Sequence, residues 1–195
     1  MRKVEIELPP FPAIVNPKHI LEIGAVKPAE GYPDIITDIK DPNCALQQNG
    51  IDLRLADAAV AAGSTSFFVD KKKDVRCDYH AIPINSDSTF LFQPGKQYAV
   101  DFMENIDVPK DMAAYLFLRS SVNRYSGVFM TGLYDAGFRG RLGGIFRPFI
   151  STRIEAGFRL AQVVFFYADS NRPYSGQYQD QVSQAKRADS KDENF

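Results

Sequence analysis

The sequence predicts an all-β fold, a sandwich or jelly roll with one or two short helices, and three observations predict it. Short apolar runs at alternating, strand-like spacing recur along the chain, separated by Pro, Gly, Asp and Asn turns. Only one segment carries both a helix start and a helix stop. No GxxxxGK and no strand–GxGxxG–helix unit occurs, which disfavours P-loop and dinucleotide-binding sheets. At 195 residues with 45% hydrophobic content, one compact domain with arms is expected.

Charge and cysteine usage narrow the function classes. The formal net charge is −1, so no strong field favours a polynucleotide or an anionic membrane, and neither partner is expected. Cys44 and Cys77 form no CxxC pair and no disulfide framework. A reduced, cytoplasmic setting fits (host cytoplasm if the protein is viral). The start, MRKVEIELPPFPAIV, lacks the apolar centre of a signal peptide. No run approaches the roughly 18 apolar residues of a membrane span.

Taken in order, residues 1–15 form an extended arm. Val4, Ile6 and Leu8 alternate with Glu5 and Glu7, and Pro9, Pro10 and Pro12 then forbid regular pairing. Asn16-Pro17 is an N-cap followed by proline at the first helical position, so a helix runs to about Ile23 and stops at Gly24. His19, without neighbouring ligands, is a surface histidine. Residues 27–46 form a loop-rich insertion. From Gln47 to Leu55, Ile51, Leu53 and Leu55 alternate with Asp52 and Arg54, which share the other face of a strand. An ion pair on a solvated face is one reading of those two charges.

Further strand-like runs are Ser66–Val69 and Thr89–Phe92. Lys71-Lys72-Lys73 is a solvated tip, and His80 has no visible partner. Gln97–Phe102 and Ala113–Leu118 are strands bounded by turns at Pro94-Gly95-Lys96 and Val108–Asp111. Val128-Phe129-Met130 reads as a short buried strand. The last residues, from Asp180, are polar and charged, and read as disordered in isolation. The chain thus divides into 1–45 (arm, helix and insertion), 46–180 (β domain) and 181–195 (polar tail).

The chemistry concentrates between Arg119 and Phe146. Arg119-Ser120-Ser121 places a planar fork of donors beside two hydroxyls, a good grip for phosphate. Ser120 or Ser121 is also suited to cap one helical turn over 121–124, and the exposed N–H groups would serve an anion equally. Arg124 adds a second charge. Gly132, Gly137 and Gly140 permit a tight hairpin with close backbone approach. Asp135 in that hairpin is a turn former, a general base or a metal contact.

Four motifs together resemble the dUTPase and dCTP deaminase superfamily, most closely its archaeal and viral type of trimeric dUTPase. They are Gly50-Ile51-Asp52-Leu53, Arg119-Ser120-Ser121, Asp135-Ala136-Gly137-Phe138-Arg139-Gly140, and Ala161-Gln162 with Tyr174-Ser175-Gly176-Gln177-Tyr178-Gln179. The resemblance covers roughly residues 45–180. It implies a distorted jelly roll of the dUTPase-like β-clip type and homotrimers with sites shared between subunits. It also implies a pyrimidine deoxynucleoside triphosphate substrate and Mg2+ as cofactor.

By the same resemblance, Arg119, Ser120, Ser121, Arg124 and Gln162 hold phosphates. The backbone at Gly132, Leu133 and Tyr134 reads the base. Phe138 packs on the sugar and excludes a 2′-hydroxyl, while Tyr174, Tyr178 and Gln179 close over the nucleoside. Asp135 activates water, and Asp52 stands near the metal in its outer shell.

The superfamily runs two reactions. The deaminases place a glutamate ten residues after the hairpin acid, and here that position is Ile145. Isoleucine moves no proton, so the expected reaction is cleavage of dUTP to dUMP and pyrophosphate. The alternatives are dCTP deamination (alone or bifunctional), hydrolysis of another or modified pyrimidine deoxynucleotide, and a binding or regulatory role. Leu142-Gly143-Gly144 and Arg147-Pro148 depart from the family pattern near the base.

Overall fold

The computed structural model describes residues 14–61, 79–124, 126–176 and 178–181. The strand-like runs at 4–8 and 66–69, the Lys71–Lys73 triplet, Cys77 and the tail beyond Gln181 lie outside the described residues.

Helix α1 spans Pro17–Glu22. The Asn16 side chain accepts the Lys18 N–H at 2.9 Å, and Gly24 at φ 70° ends the helix, as the sequence indicated. Pro17 and Ile20 are its buried residues, and His19 is exposed. The insertion after it contributes a short strand, β1 (Val26–Pro28). There follow β2 (Ile51–Ala61), β3 (Tyr79–Ala81), β4 (Thr89–Phe92), β5 (Tyr98–Asp107) and β6 (Met112–Leu118). Then come α2 (Ser120–Asn123), β7 (Gly127–Met130), β8 (Arg139–Pro148), β9 (Thr152–Glu155) and β10 (Arg159–Tyr167). Among the described residues no helix is long and apolar enough to cross a membrane.

The main sheet runs β6-β10-β2-β5-β8-β7, with β1 added to β5 and β3 to β2. An isolated bridge between Ala114 and Tyr134 brings β6 back to the β7–β8 connection, so the sheet nearly closes on itself. The result is the distorted jelly roll that the alternating runs predicted. Ile51, Leu53 and Leu55 are fully buried, as their spacing required. The β4–β9 pair lays Phe92 edge-on against Tyr98 and Phe146, at centroid distances of 4.9 and 5.2 Å. One expectation fails here. β7 is only half-buried: it ends the strand order of its sheet, Val128 and Phe129 are partly covered, and Met130 is exposed because no described strand covers its outer side.

The face shared by Asp52 and Arg54 also differs from a solvated strand face, and the two charges do not pair with each other. Arg54 Nε donates to Glu104 Oε1 at 2.7 Å, and the Arg54 backbone N–H donates to Glu104 Oε2 at 3.0 Å. The same guanidinium donates to the carbonyls of Pro33 (2.6 Å) and Asp34 (3.1 Å). This gives the loop-rich insertion its physical anchor. Glu104 is 0% exposed. Burial pushes its carboxyl pKa up, and Arg54 opposes that shift. Arg54→Met strands this acid without its partner and is expected to cost roughly 3–5 kcal/mol in urea unfolding. The double variant Arg54→Met/Glu104→Leu recovers most of that loss; an unchanged midpoint in the single variant would contradict the assignment.

Candidate active site

The predicted site residues fall into two groups, one at each end of β6. At the Leu118 end, strand register does the assembly. Gln162 on β10 stands opposite both Asp52 on β2 and Phe117 on β6. The chain then leaves β6 through Arg119. Asp52 is 1% exposed, and three side chains surround its carboxylate. Arg119 Nε approaches Asp52 Oδ2 at 3.0 Å, and Arg159 Nη1 reaches the same oxygen at 3.4 Å. Gln162 Nε2 donates to Asp52 Oδ1 at 3.2 Å. Burial raises the Asp52 pKa, while Arg119, Gln162 and Arg159 pull it back. Gly50 is needed for this approach, because a Cβ there would stand 2.5 Å from the Val163 carbonyl and 2.7 Å from Gln162 Cγ.

In this chain both Asp52 oxygens meet a cation or an amide, so Asp52 serves as an anchor for Arg119. Among the described residues no group of three or more His, Cys, Asp or Glu could hold a metal ion. The donor set does not fit a protein-held Mg2+. A triphosphate that arrives already chelated to Mg2+ needs no such cage.

Arg119 also donates through Nη1 to the Arg159 carbonyl at 3.0 Å. Arg159 was missed as a site residue, although it opens the Ala-Gln strand. It ties the insertion to the site by donating to the carbonyls of Cys44 and Pro42. The signal in the sequence was one acid facing arginines from two separate motifs.

The serines do not cap α2. Arg119 occupies the N-cap position and makes no side-chain cap bond. Ser120 and Ser121 are exposed. Their hydroxyls and N–H groups make no hydrogen bond among the described residues. They are open to an incoming anion. Arg124 ends this turn and is also exposed.

The second group lies at the Met112 end. Tyr134 exchanges two 2.9 Å backbone bonds with Ala114. Its hydroxyl donates to the Gly143 carbonyl at 2.8 Å and accepts the Gly143 N–H at 3.1 Å. Burial raises the pKa of this phenol far above its ordinary value. Asp135 follows, exposed, in a turn closed by the Phe138 N–H on its carbonyl at 3.0 Å. Gly137, at φ 79°, makes that turn possible. Gly132 and Leu133 are exposed beside it.

Phe138 is 7% exposed, with its ring 5.3 Å from both Tyr134 and Tyr174. It packs in the hydrophobic core of this chain, between Tyr134 and Tyr174. The segment after Tyr174 lies along the hairpin of its own chain. Tyr174 N–H donates to the Ala136 carbonyl at 2.7 Å, and Gln179 Nε2 to the Gly137 carbonyl at 3.0 Å. The Tyr178 N–H donates to the Tyr174 hydroxyl at 3.3 Å.

The two groups stay apart within one chain. Tyr134 faces Ala114, and Arg119 lies five residues further along, roughly 17 Å at the rise of a strand. The phosphate turn and Asp135 are thus at opposite ends of β6.

Comparison with known proteins agrees with this geometry. Residues 33–168 match the model of the dCTP deaminase-like family. A probable deoxyuridine 5′-triphosphate nucleotidohydrolase of Halobacterium salinarum is 30% identical over 138 residues, covering 69% of this chain and 82% of the relative. A dCTP deaminase of Korarchaeum cryptofilum is 31% identical over 142 residues, covering 70% and 80%. Among solved structures, a 2′-deoxycytidine 5′-triphosphate deaminase from Agrobacterium tumefaciens superposes with a TM-score of 0.59 at 22% identity, covering 82% of this chain and 48% of that one. The match over residues 33–168 and the two relatives at 30% and 31% identity show that the chain belongs to the dCTP deaminase-like family, an enzyme family in which its relatives carry the names of dUTP hydrolase and dCTP deaminase.

Proposed function

We propose that the protein hydrolyses dUTP to dUMP and pyrophosphate, as a homotrimer whose sites draw on two neighbouring chains. The observation that carries the reaction type is Ile145. It occupies the β8 position where deamination would need a proton-shuttling carboxylate, and the Gly143, Gly144, Phe146 and Arg147 side chains around it are no substitute. Hydrolysis of a phosphoanhydride needs positioned phosphates, one placed water and one base. Arg119, held in place by Asp52, presents its charge with the open donors of Ser120 and Ser121. Arg124 adds a cation, and Gln162 fixes the Asp52 side of the cluster.

Asp135 accepts a proton from water as the water oxygen attacks the α-phosphorus, and pyrophosphate leaves with the electron pair of the broken bond. Mg2+ enters with the triphosphate as part of the substrate and offsets its charge. The roughly 17 Å between Tyr134 and Arg119 along β6 supports the shared site: one chain supplies the phosphate grip and its neighbour the base. A reduced cytoplasm suits a nucleotide substrate and the free Cys44. The division at residues 45 and 180 is proposed as the boundary of the catalytic unit.

One observation favours a second reading, deamination of dCTP. Asp101 is buried and pairs in register with Gly143, two positions before Ile145 on the same face of β8. A Cβ at Gly143 would stand 2.8 Å from Asp101 Oδ1. A carboxylate from β5 thus approaches the face that Ile145 leaves apolar.

Product analysis separates the two. The full-length protein, given dUTP, dCTP, dTTP and UTP separately with Mg2+, is expected to form dUMP from dUTP and to leave UTP intact. Ammonia release from dCTP would move the assignment to deamination through Asp101. Asp135→Asn is expected to lower kcat for dUTP by roughly two orders of magnitude or more, and near-normal turnover in a folded variant would remove it from the mechanism. Asp52→Asn releases Arg119, and binding of a non-hydrolysable dUTP analogue by calorimetry is expected to weaken about ten- to a hundredfold; unchanged affinity would show that Arg119 needs no anchor.

A further inference from the structure

We propose that the outer face of β1, β5 and β8 carries a second binding site, for a small molecule bearing two oxyanion groups. Strand register builds it. Lys27 on β1 stands opposite Asn105 on β5, and Asn105 stands opposite Arg141 on β8. The three side chains form one row across three adjacent strands. At the spacing of paired strands, the Cα atoms of the two cationic residues stand about 10 Å apart with a carboxamide residue between them. The row lines a cavity of about 650 Å3, within the range of small-molecule sites.

Arg141 is the reason to expect an anion there. Its side chain makes no hydrogen bond among the described residues, its Nε is buried without a hydrogen-bond partner, and the buried Glu104 carboxylate is near enough to feel its charge. The guanidinium lies over the Tyr32 ring, 4.6 Å from the centroid. Tyr32 is itself held by its hydroxyl, which donates to Asp57 at 3.3 Å. The guanidinium is therefore oriented in advance with its donors unspent, the arrangement that favours a charge-assisted bond to phosphate or carboxylate. Arg139 also lines the cavity, but Asp180 pairs with it at 3.4 Å. Glu30 and Asp107 are acidic members of the same lining. The cavity carries no general positive field, so recognition rests on the Lys27–Asn105–Arg141 row. No residue of the phosphate turn lines this cavity, which reaches Arg139, Gly140, Asp180 and Gln181 beside the hairpin.

Calorimetric titration of the full-length protein with pyrophosphate, and separately with citrate, tests the site in wild type, Arg141→Gln, Lys27→Gln and Ser120→Ala. Beyond any anion held at the Ser120 turn, the expected result is one saturable anion per chain that persists in Ser120→Ala and weakens at least about tenfold in both Arg141→Gln and Lys27→Gln. Loss of only the pyrophosphate isotherm assigns phosphate ligands, and loss of only the citrate isotherm assigns carboxylates. Lys27 is exposed, so its substitution tests the site without the risk to folding carried by Arg141. Binding that vanishes in Ser120→Ala and survives both other substitutions, or no saturable binding outside the Ser120 turn, overturns the proposal.

Discussion

A buried carboxylate needs partners, and Asp52 has three. Removing such a charge from water is costly unless opposite charges and hydrogen bonds replace the lost hydration. Arg119, Arg159 and Gln162 do this, and in doing so they join β2, β10 and the exit of β6 at one point. Arg159 extends the connection to the carbonyls of Pro42 and Cys44. Arg54 and Glu104 repeat the device one step along the same strand face and hold Pro33 and Asp34. An insertion with little secondary structure of its own is thus fixed by two guanidiniums. The arginine that would meet phosphate is held by the same electrostatics.

The other end of β6 is organised by packing and backbone bonds. Tyr134 closes the sheet against Ala114, anchors its hydroxyl on Gly143, and packs with Phe138 and Tyr174. Gly143 and Gly144 admit close neighbours of their own, since a Cβ at Gly143 would stand 2.8 Å from Asp101 Oδ1 and one at Gly144 2.5 Å from the Phe129 ring. The departures from the family pattern at these glycines therefore have a structural reason. The Tyr174–Gln181 segment lies on the same hairpin and leaves Asp135 exposed at its tip.

Much of this was legible in the sequence. Alternation identified the start of β2, flanking turns and apolar content marked β5 and β6, and Asn16-Pro17 with Gly24 marked α1 through capping chemistry alone. The motif residues Asp52, Arg119 and Gln162 do meet. What was not legible depended on tertiary pairing. The partner of Arg54 is Glu104, fifty residues away, and periodicity cannot reveal it. The burial of Asp52 between two arginines was not legible either, because strand register sets it. Val128–Met130 looked buried because apolar content does not say whether a strand lies at a sheet edge. The serines looked like caps, yet Arg119 takes the N-cap position and leaves them free.

The central claim is that the phosphate grip and the base, separated along β6 in one chain, act together across two chains. Mixing two separately inactive variants, Ser120→Ala with Arg119→Ala on one chain and Asp135→Asn on the other, tests this most directly. The mixture would be co-refolded and assayed on the nucleotide that the wild type turns over. If a closed trimer shares its sites between neighbours, random mixing restores about a quarter of the wild-type sites and a matching share of activity. A mixture that assembles fully and stays as inactive as either parent would place both groups in one chain and contradict the account.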